Sequence, residues 1–391
     1  MTRQFPDGFL WGAATAAHQI EGGNVASDWW KLEHRPDGPC AEPSGDACDS
    51  YHRYPEDVAI VAGLGLGSYR FSIEWSRIEP EPGEFSRVQL DHYRRMIATV
   101  LDAGLRPTVT LHHFTSPFWF TKGGGWARAD SADRFLRYCE TVAPLLTEAA
   151  YVCTFNEPNI AASFARYFEP GYVAPAGLPD PDSRISDGLT RAHLRVRDAL
   201  RAEVGPRVGW AVATQSFSGV DGPDELSAAY AYERETRFLE VAVDDDWLGV
   251  QAYSRTIVGP DGPLPVSDET ERTLMDWEYY PEALGSALRE AHRIAPRVPL
   301  IVTENGIAAA DDRRRIDYVR TALGEVLTAI DDGVDVRGYF YWSLLDNFEW
   351  AHGYRPTFGL VAVDRDTFAR IPRPSAHWLG AVARANALDA D

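Results

Sequence analysis

The sequence predicts an α/β fold, a single closed (β/α)8 TIM barrel whose active site lies at the C-terminal ends of the strands. Two observations predict it. Eight short apolar, β-prone runs alternate with amphipathic helical segments along the chain. Polar and aromatic residues recur where these runs end, on the face that carries the active site in parallel barrels. No internal repeat, low-complexity tract or linker divides residues 1–391, so we expect one catalytic domain.

The predicted strands are short runs rich in β-branched and aromatic residues. In chain order they are Phe9–Ala14, Ser68–Ile73, Arg106–Leu111, Tyr151–Phe155, Val208–Ala213, Trp247–Ala252, Leu300–Thr303 and Val336–Trp342. The predicted helices have an amphipathic, helix-like pattern. They are Ser86–Ala103, Asp130–Leu146, Ser183–Val204, Ala228–Val243, Pro281–Arg293 and Arg314–Asp332.

The alternative fold is an open, doubly wound sheet. Such sheets that bind dinucleotides have a glycine-rich turn directly after the first strand, whereas the run of alternating glycines here, residues 63–67, precedes a strand. The closed barrel is therefore favoured. Two stretches rich in glycine and proline, residues 171–181 and 259–265, are predicted to be loops on the rim of the barrel.

The composition excludes several classes of protein. With 45% hydrophobic and 12% aromatic residues, the chain is not intrinsically disordered. A formal net charge of −20 argues against nucleic acid and anionic membranes as partners. No apolar run has the length of a membrane span. The sequence leaves open whether the chain forms a homo-oligomer.

The compartment is predicted from the cysteines and the N-terminus. The four cysteines, Cys40, Cys48, Cys139 and Cys153, are too few for a disulfide scaffold and lack the spacing of a metal site. Residues 1–8 contain no apolar segment of the secretory type. We therefore expect free thiols and a cytoplasmic location.

Two glutamates, Glu157 and Glu304, are the strongest candidates for chemistry. Each comes directly after a predicted buried strand, so both are expected at the same end of the barrel. Two carboxylates that face one sugar are what cleavage of a glycosidic bond requires. This chemistry requires no metal and no cofactor.

Further polar and aromatic residues accompany these glutamates at the other strand ends. Alone, each has a common structural explanation: a buried arginine usually forms an ion pair, and a tryptophan usually belongs to the core. Together with Glu157 and Glu304 they occupy seven strand ends on one rim, and this recurrence predicts a site. These residues are Gln19, Arg70, His113, Asn156, Tyr253, Trp342, Glu349 and Trp350.

Five motifs in order make the chain resemble glycoside hydrolase family 1, the β-glucosidase family, nearly end to end. They are residues 9–22 (FLWGAATAAHQIEG), 69–78 (YRFSIEWSRI), 154–158 (TFNEP), 303–306 (TENG) and 342–350 (WSLLDNFEW). The resemblance implies a retaining β-glycosidase, foremost a β-glucosidase. Such an enzyme hydrolyses terminal non-reducing β-D-glycosides by double displacement through a covalent glycosyl-enzyme.

The resemblance also implies a role for each site residue. Glu304 would be the nucleophile and Glu157 the acid/base. Asn156 would bind the 2-hydroxyl of the sugar, while Arg70 and Tyr253 would hold Glu304 ionised. The remaining residues would line the pocket of the non-reducing sugar, the glycone; they are Gln19, His113, Trp342, Glu349 and Trp350.

Three positions depart from the family pattern. Phe114 stands where many members have Trp, and Gln251 and Ala252 stand where Asn-Tyr is usual. The chain is also short for the family, which predicts trimmed loops and an open side for the leaving group.

Physical chemistry predicts how the two carboxyl groups divide the work. Two like charges in close proximity do not ionise easily together, so Glu157 should have the raised pKa while Arg70 keeps Glu304 anionic. Once the glycosyl-enzyme forms, Glu304 loses its charge and Glu157 can deprotonate the incoming water.

Three other functions are alternatives to β-glucosidase activity. A transglycosidase, in which a sugar or alcohol replaces water, would use the same carboxylates. A non-catalytic sugar-binding relative is disfavoured because both glutamates are present. A 6-phosphoglycosidase is disfavoured because Glu349 would repel the phosphate.

Overall fold

A computed structural model describes residues 2–169, 178–203, 205 and 207–389 of the protein. Eight parallel strands form a closed barrel, in which each strand pairs with its neighbour in chain order and the last pairs with the first. The strands are β1 (Leu10–Ala14), β2 (Ser68–Ser72), β3 (Arg106–Thr110), β4 (Tyr151–Asn156), β5 (Arg207–Ala213), β6 (Trp247–Gln251), β7 (Leu300–Asn305) and β8 (Val336–Trp342). The predicted barrel is confirmed.

Strand bounds differ from the prediction by at most two residues. The largest difference is at β7, which continues through Asn305, so that Glu304 lies inside the strand and not after it. The pairing of Glu304 with Gln251 of β6 and of Asn305 with Tyr341 of β8 extends the strand. Both partners are strand-end residues whose pairing the apolar pattern alone does not reveal.

Helices cover the outside of the barrel. Those that match predicted segments are Arg87–Asp102, Ser131–Val142, Ser183–Glu203, Ala283–Ile294 and Asp312–Asp331. Two long helices were not predicted: Ser50–Leu64, where Pro55 interrupts the pattern, and Pro374–Ala385. Shorter helices are Ala17–Ile20, Asp28–Glu33, Trp75–Ile78, Phe118–Lys122, Pro158–Phe164, Glu225–Ala231 and Arg237–Val241, with 3-10 turns at Gly125–Ala127, Ala143–Leu145, Ala165–Phe168, Ala242–Asp244 and Trp350–His352.

Two predicted helices are not continuous. The segment predicted at Ala228–Val243 is interrupted by a π-helical turn, Tyr232–Thr236. The segment predicted at Asp130–Leu146 changes to a 3-10 turn at Ala143, because Pro144 lacks the backbone donor that a helix interior needs. Val204, the predicted end of a third helix, lies outside the described residues.

One predicted loop is wrong. Residues 256–263 form an antiparallel hairpin, with strands Thr256–Gly259 and Gly262–Pro263, and Thr256–Gly259 also pairs with Phe217–Ser218. Gly262 has φ 114°, a conformation that residues with a side chain rarely adopt. The glycines and prolines that predicted a loop here therefore belong to a tight turn between two strands. In the other predicted loop, residues 171–177 lie outside the described residues. Two further small sheets pair Arg3–Gln4 with Ala387–Leu388 and Val361–Val363 with Arg370–Pro372.

The strands contribute to two separate cores because successive side chains point to opposite faces. One set, including Phe71, Val109 and Val250, packs in a large cluster with the surrounding helices. The alternate set, including Tyr151, Trp247 and Phe340, forms a second cluster. These packed strands hold their C-terminal ends in fixed relative positions.

Cys40, Cys48, Cys139 and Cys153 are all unpaired, as the sequence predicts. None of the helices in the described part of the chain has the length and apolar character needed to cross a membrane.

Candidate active site

A deep cleft of about 1500 Å³ opens at the C-terminal end of the barrel. Its inner part, which we call the floor, consists of Gln19, Arg70, His113, Asn156, Glu157, Gln251, Tyr253, Glu304, Trp342, Glu349 and Trp350. Most of these residues line the cleft, whereas Gln19, Arg70 and Asn156 are buried behind its surface. All sequence-predicted site residues are therefore brought together in one place.

Glu157 is positioned by an unusual backbone conformation. Its φ of 44° lies in the left-handed region, which is unfavourable for a residue with a side chain. The Glu157 N–H donates to the carbonyl of Ala211 at 2.7 Å, and the Glu157 carbonyl accepts from the N–H of Ala161 at 2.9 Å. Pro158 then begins the helix Pro158–Phe164. These contacts hold the side chain at the junction between strand and helix.

Glu304 is held by a donor on each carboxylate oxygen. Arg70 Nη1 donates to Oε1 at 2.5 Å, and the Tyr253 hydroxyl donates to Oε2 at 2.6 Å. Arg70 itself is fully buried, and Glu304 is only 3% exposed. Charge-assisted bonds of this kind fix the orientation of a carboxylate.

The two glutamates differ in their electrostatics. Burial raises the pKa of Glu157 well above its ordinary value, and the charge of Glu304 raises this pKa further. Burial also raises the pKa of Glu304, but the charge of Arg70 and the bond from Tyr253 oppose this effect. Sequence reasoning underestimated the effect of burial on Glu304, because the net direction of its pKa is upward.

Aromatic rings stack along one side of the floor. His113 lies between Trp342 and Trp350, with ring centroids 5.8 and 6.2 Å apart. The ring of His18 also stacks on Trp350, with ring centroids 5.6 Å apart and an angle of 4° between the rings. Burial, followed by the charge of Arg70, lowers the pKa of His113 well below its ordinary value, so this imidazole is neutral.

Gln19 and Glu349 form the far end of the floor. Gln19 Nε2 donates to the carbonyl of Phe348 at 2.8 Å and to Asn347 Oδ1 at 3.1 Å. Since the carbonyl can only accept, the Gln19 oxygen must face the opposite way. Burial, and then the charge of Glu304, raises the pKa of Glu349 to about 8.

Gln251 is a floor residue to which the sequence assigned no role, although it stands at the end of the sixth predicted strand and departs from the family pattern. Its amide nitrogen donates to Asn156 Oδ1 at 2.9 Å, and its side chain lines the cleft beside Glu304. A signal for it exists in the sequence, because Gln251 precedes Tyr253 by two residues, the spacing of side chains on one face of a strand.

Several buried polar atoms of the floor have no hydrogen-bond partner within the described part of the chain. Leaving such an atom unpaired costs roughly 1–3 kcal/mol, so a cluster of them indicates a ligand with several donors and acceptors. A sugar ring carries hydroxyl groups that are both. These atoms are Gln19 Oε1, His113 Nδ1, Asn156 Nδ2, Gln251 Oε1 and Glu349 Oε2.

The outer part of the cleft has a mixed lining that includes charged residues such as Arg255 and Asp276. Its apolar side chains, which we call the mouth, are Phe217, Tyr230, Ile257, Leu264, Met275 and Trp277. Leu264 and Trp277 remain 44% and 37% exposed. Two residues that depart from the family pattern lie nearby: Phe114 packs edge-on against Trp350, with ring centroids 5.1 Å apart, and Ala252 is buried.

The site is suited to chemistry by carboxylates. No group of three or more His, Cys, Asp and Glu side chains among the described residues is arranged to hold a metal ion. The floor instead offers one oriented carboxylate and a second with a strongly raised pKa, which can supply a nucleophile and a proton.

Comparisons with known proteins assign nearly the whole chain to one family. The model of glycosyl hydrolase family 1 matches residues 1–217 and 224–388. Beta-glucosidase A of Thermotoga maritima is 34% identical over an alignment of 445 positions that covers 99% of each chain, and thermostable beta-glucosidase B of Thermobispora bispora is 37% identical over 98% of this chain and 91% of its own. Since this chain has only 391 residues, the first relative carries segments that it lacks.

Solved structures give the same result. A beta-glycosidase from Pyrococcus horikoshii superposes with a TM-score of 0.89 and 35% identity, covering 100% of this chain and 97% of its own. A family 1 beta-glucosidase from Thermotoga maritima superposes with a TM-score of 0.90 and 31% identity over 99% of both chains. The chain belongs to glycosyl hydrolase family 1 and is a glycoside hydrolase.

Proposed function

We propose that this enzyme is a β-glucosidase that removes a terminal non-reducing β-D-glucosyl residue with retention of configuration, and that residues 1–391 form one catalytic domain. The observation that carries the proposal is the floor, where two buried carboxylates, one of them held by Arg70 and Tyr253, adjoin a cluster of unpartnered polar atoms. The similar proteins from Thermotoga maritima and Thermobispora bispora are named beta-glucosidases, which supports the choice of sugar.

In the first step, Glu304 attacks the anomeric carbon. The bonds from Arg70 and Tyr253 stabilise its charged form and aim one oxygen at the sugar. The bond between the anomeric carbon and the leaving oxygen breaks as the bond to Glu304 forms, and Glu157 gives its proton to the leaving oxygen.

In the second step, water replaces Glu304 on the sugar. The ester bond removes the charge of Glu304, which is the second-largest cause of the raised pKa of Glu157. The pKa of Glu157 therefore falls, and its carboxylate can take a proton from the water. The enzyme is thus returned to its starting protonation state.

The sugar is held by the unpartnered atoms. Asn156 is proposed to donate to the 2-hydroxyl, and Gln19 and Glu349 to bind the hydroxyls at the far end of the ring. His113, Trp342 and Trp350 supply the side wall. The four unpaired cysteines support a reducing, cytoplasmic location.

Covalent labelling tests this function. A 2-deoxy-2-fluoro β-glucoside with a good leaving group should add one glycosyl mass to the peptide that contains Glu304, and Glu304→Gln should remain unlabelled. Proton NMR of the first product formed from an aryl β-glucoside should show the β-anomer. Labelling at another residue, or an α-anomer as first product, would contradict the proposal.

A further inference from the structure

Gln251 lies between two key groups of the floor. On β6 it pairs with Glu304 of β7, and its amide nitrogen is 2.9 Å from Asn156 Oδ1 of β4. A hydrogen bond from Gln251 also lowers the pKa of Glu304. Its position in the cleft is therefore close to both the proposed nucleophile and the proposed ligand of the 2-hydroxyl.

The orientation of both amides follows from the chemistry of Arg70. A guanidinium group has donors only, so the atom of Asn156 that lies 2.5 Å from Arg70 Nη2 must be the oxygen. The atom of Gln251 that faces this oxygen must then be a donor, the nitrogen Nε2. Consequently, the Asn156 nitrogen and the Gln251 oxygen both point away from the hydrogen bonds that link Arg70, Asn156 and Gln251.

These two remaining atoms are complementary. Asn156 Nδ2 is a donor and Gln251 Oε1 is an acceptor, and both are buried without a partner among the described residues. They do not bond to each other, although their other ends are joined. A hydroxyl group is the smallest group that can accept from the first atom and donate to the second at the same time.

We propose that Gln251 is a sugar-binding residue that accepts a hydrogen bond from the same hydroxyl, the 2-hydroxyl, to which Asn156 donates. This inference rests on the proposed function. This pair of contacts makes the floor selective for a substituent at position 2 that both donates and accepts a hydrogen bond. It also explains the function of a glutamine at this position. The bond strengthens catalysis because contacts to the 2-hydroxyl contribute most in the transition state of retaining enzymes.

The test compares two substrates in two enzymes. For wild type and Gln251→Met, which keeps the length but removes both polar atoms, kcat/KM is measured on 4-nitrophenyl β-glucoside and on its 2-deoxy analogue. We expect Gln251→Met to reduce the ratio of the two values about tenfold, because only the glucoside loses a bond. As a control, Gln215 is a second glutamine that lines the cleft but does not belong to the Asn156–Gln251 pair. Gln215→Met should leave the ratio unchanged.

A purely structural role gives a different result. If Gln251 only supported the fold or Glu304, both substrates would lose activity equally and the ratio would stay constant, which would overturn the inference. If Gln251→Met does not fold, Gln251→Asn replaces it in the test. This variant is shorter by one methylene group, which moves the amide oxygen away from the sugar, so it is expected to lower the same ratio. Labelling of wild-type Glu304 separates the two claims, because its failure contradicts the proposed function and an unchanged ratio contradicts only the role of Gln251.

Discussion

The floor and the mouth of the cleft are built in opposite ways. Floor residues such as Asn156, Gln251 and Glu304 belong to barrel strands and are tied to one another by short hydrogen bonds. Mouth residues such as Leu264 and Trp277 lie directly after a hairpin strand and in a loop, are partly exposed, and present apolar groups. The floor therefore has one defined geometry, whereas the mouth offers a surface that imposes little shape.

This difference indicates a division of labour. A preorganised polar floor recognises the transition state of one sugar, because its dipoles are oriented before the reaction begins. An open apolar mouth accommodates different leaving groups by burial of apolar surface, which is non-directional. Substitutions in the floor should therefore have large effects that depend on the sugar, and substitutions in the mouth small effects that depend on the leaving group.

The largest effect is expected at Glu304. Glu304→Gln keeps one acceptor oxygen, which can face Arg70, but removes the nucleophile, so kcat on aryl β-glucosides should fall by about 100,000-fold. Steady-state kinetics measure the fall in kcat, and a thermal melt shows that the variant is folded. Glu240→Gln, an exposed glutamate outside the cleft, is the control. A loss of less than a hundredfold would place the nucleophile elsewhere.

Removal of Glu157 should produce a loss that depends on the leaving group. Glu157→Ala should reduce the glycosylation rate on alkyl glucosides by roughly 100- to 10,000-fold, but affect dinitrophenyl glucoside little, since that group leaves without protonation. Azide should accelerate turnover of the alanine variant by attacking the glycosyl-enzyme. Equal losses on both substrates, without an effect of azide, would argue against the acid/base role.

Glu349 should affect one sugar more than another. A buried hydroxyl that loses its hydrogen-bond partner costs roughly 1–3 kcal/mol, so Glu349→Ala should lower kcat/KM on glucosides by roughly 5- to 100-fold. Fucosides lack the 6-hydroxyl and should lose less. The ratio of the two kcat/KM values in wild type and variant measures this, and a uniform loss would contradict contact with the 6-hydroxyl.

Glu349 should also make stability depend on pH. Its pKa is about 8 in the folded protein against an ordinary value of 4.5. Between these values the folded state binds a proton that the unfolded state has released, so the free energy of unfolding falls as the pH rises. Glu349→Gln lacks this decrease, and its Tm relative to wild type should rise by about 2–4 °C from pH 5 to pH 8. A difference in Tm that does not change with pH would show that Glu349 is ionised throughout.

The smallest effect is expected in the mouth. Leu264→Ala should lower kcat/KM on bulky apolar aryl glucosides by about two- to fivefold, because less apolar surface is buried, and leave methyl glucoside unaffected. Val88→Ala changes another exposed aliphatic residue that does not line the cleft and should have no effect on either substrate. If kcat/KM instead falls steeply for wild type as leaving groups become larger, the mouth is closed and the comparison with the floor fails.

Much of the barrel was predictable because its signals are local. A buried parallel strand is an apolar run, so all eight barrel strands were located to within two residues. The hairpin at Thr256–Pro263 and the π-helical turn at Tyr232–Thr236 were missed. Their formation depends on pairing and packing with distant segments, which a local pattern does not contain.

The sequence by itself determined the fold class and most residues of the floor, because carboxylates, amides and aromatic residues that follow buried strands converge when a barrel closes. Only the tertiary structure decided how these side chains are oriented. The directions of the Asn156 and Gln251 amides depend on Arg70, which is 86 residues from Asn156 in the chain. The pKa of Glu304 likewise depends on burial among residues from other strands, and both effects exist only once the chain is closed into a barrel.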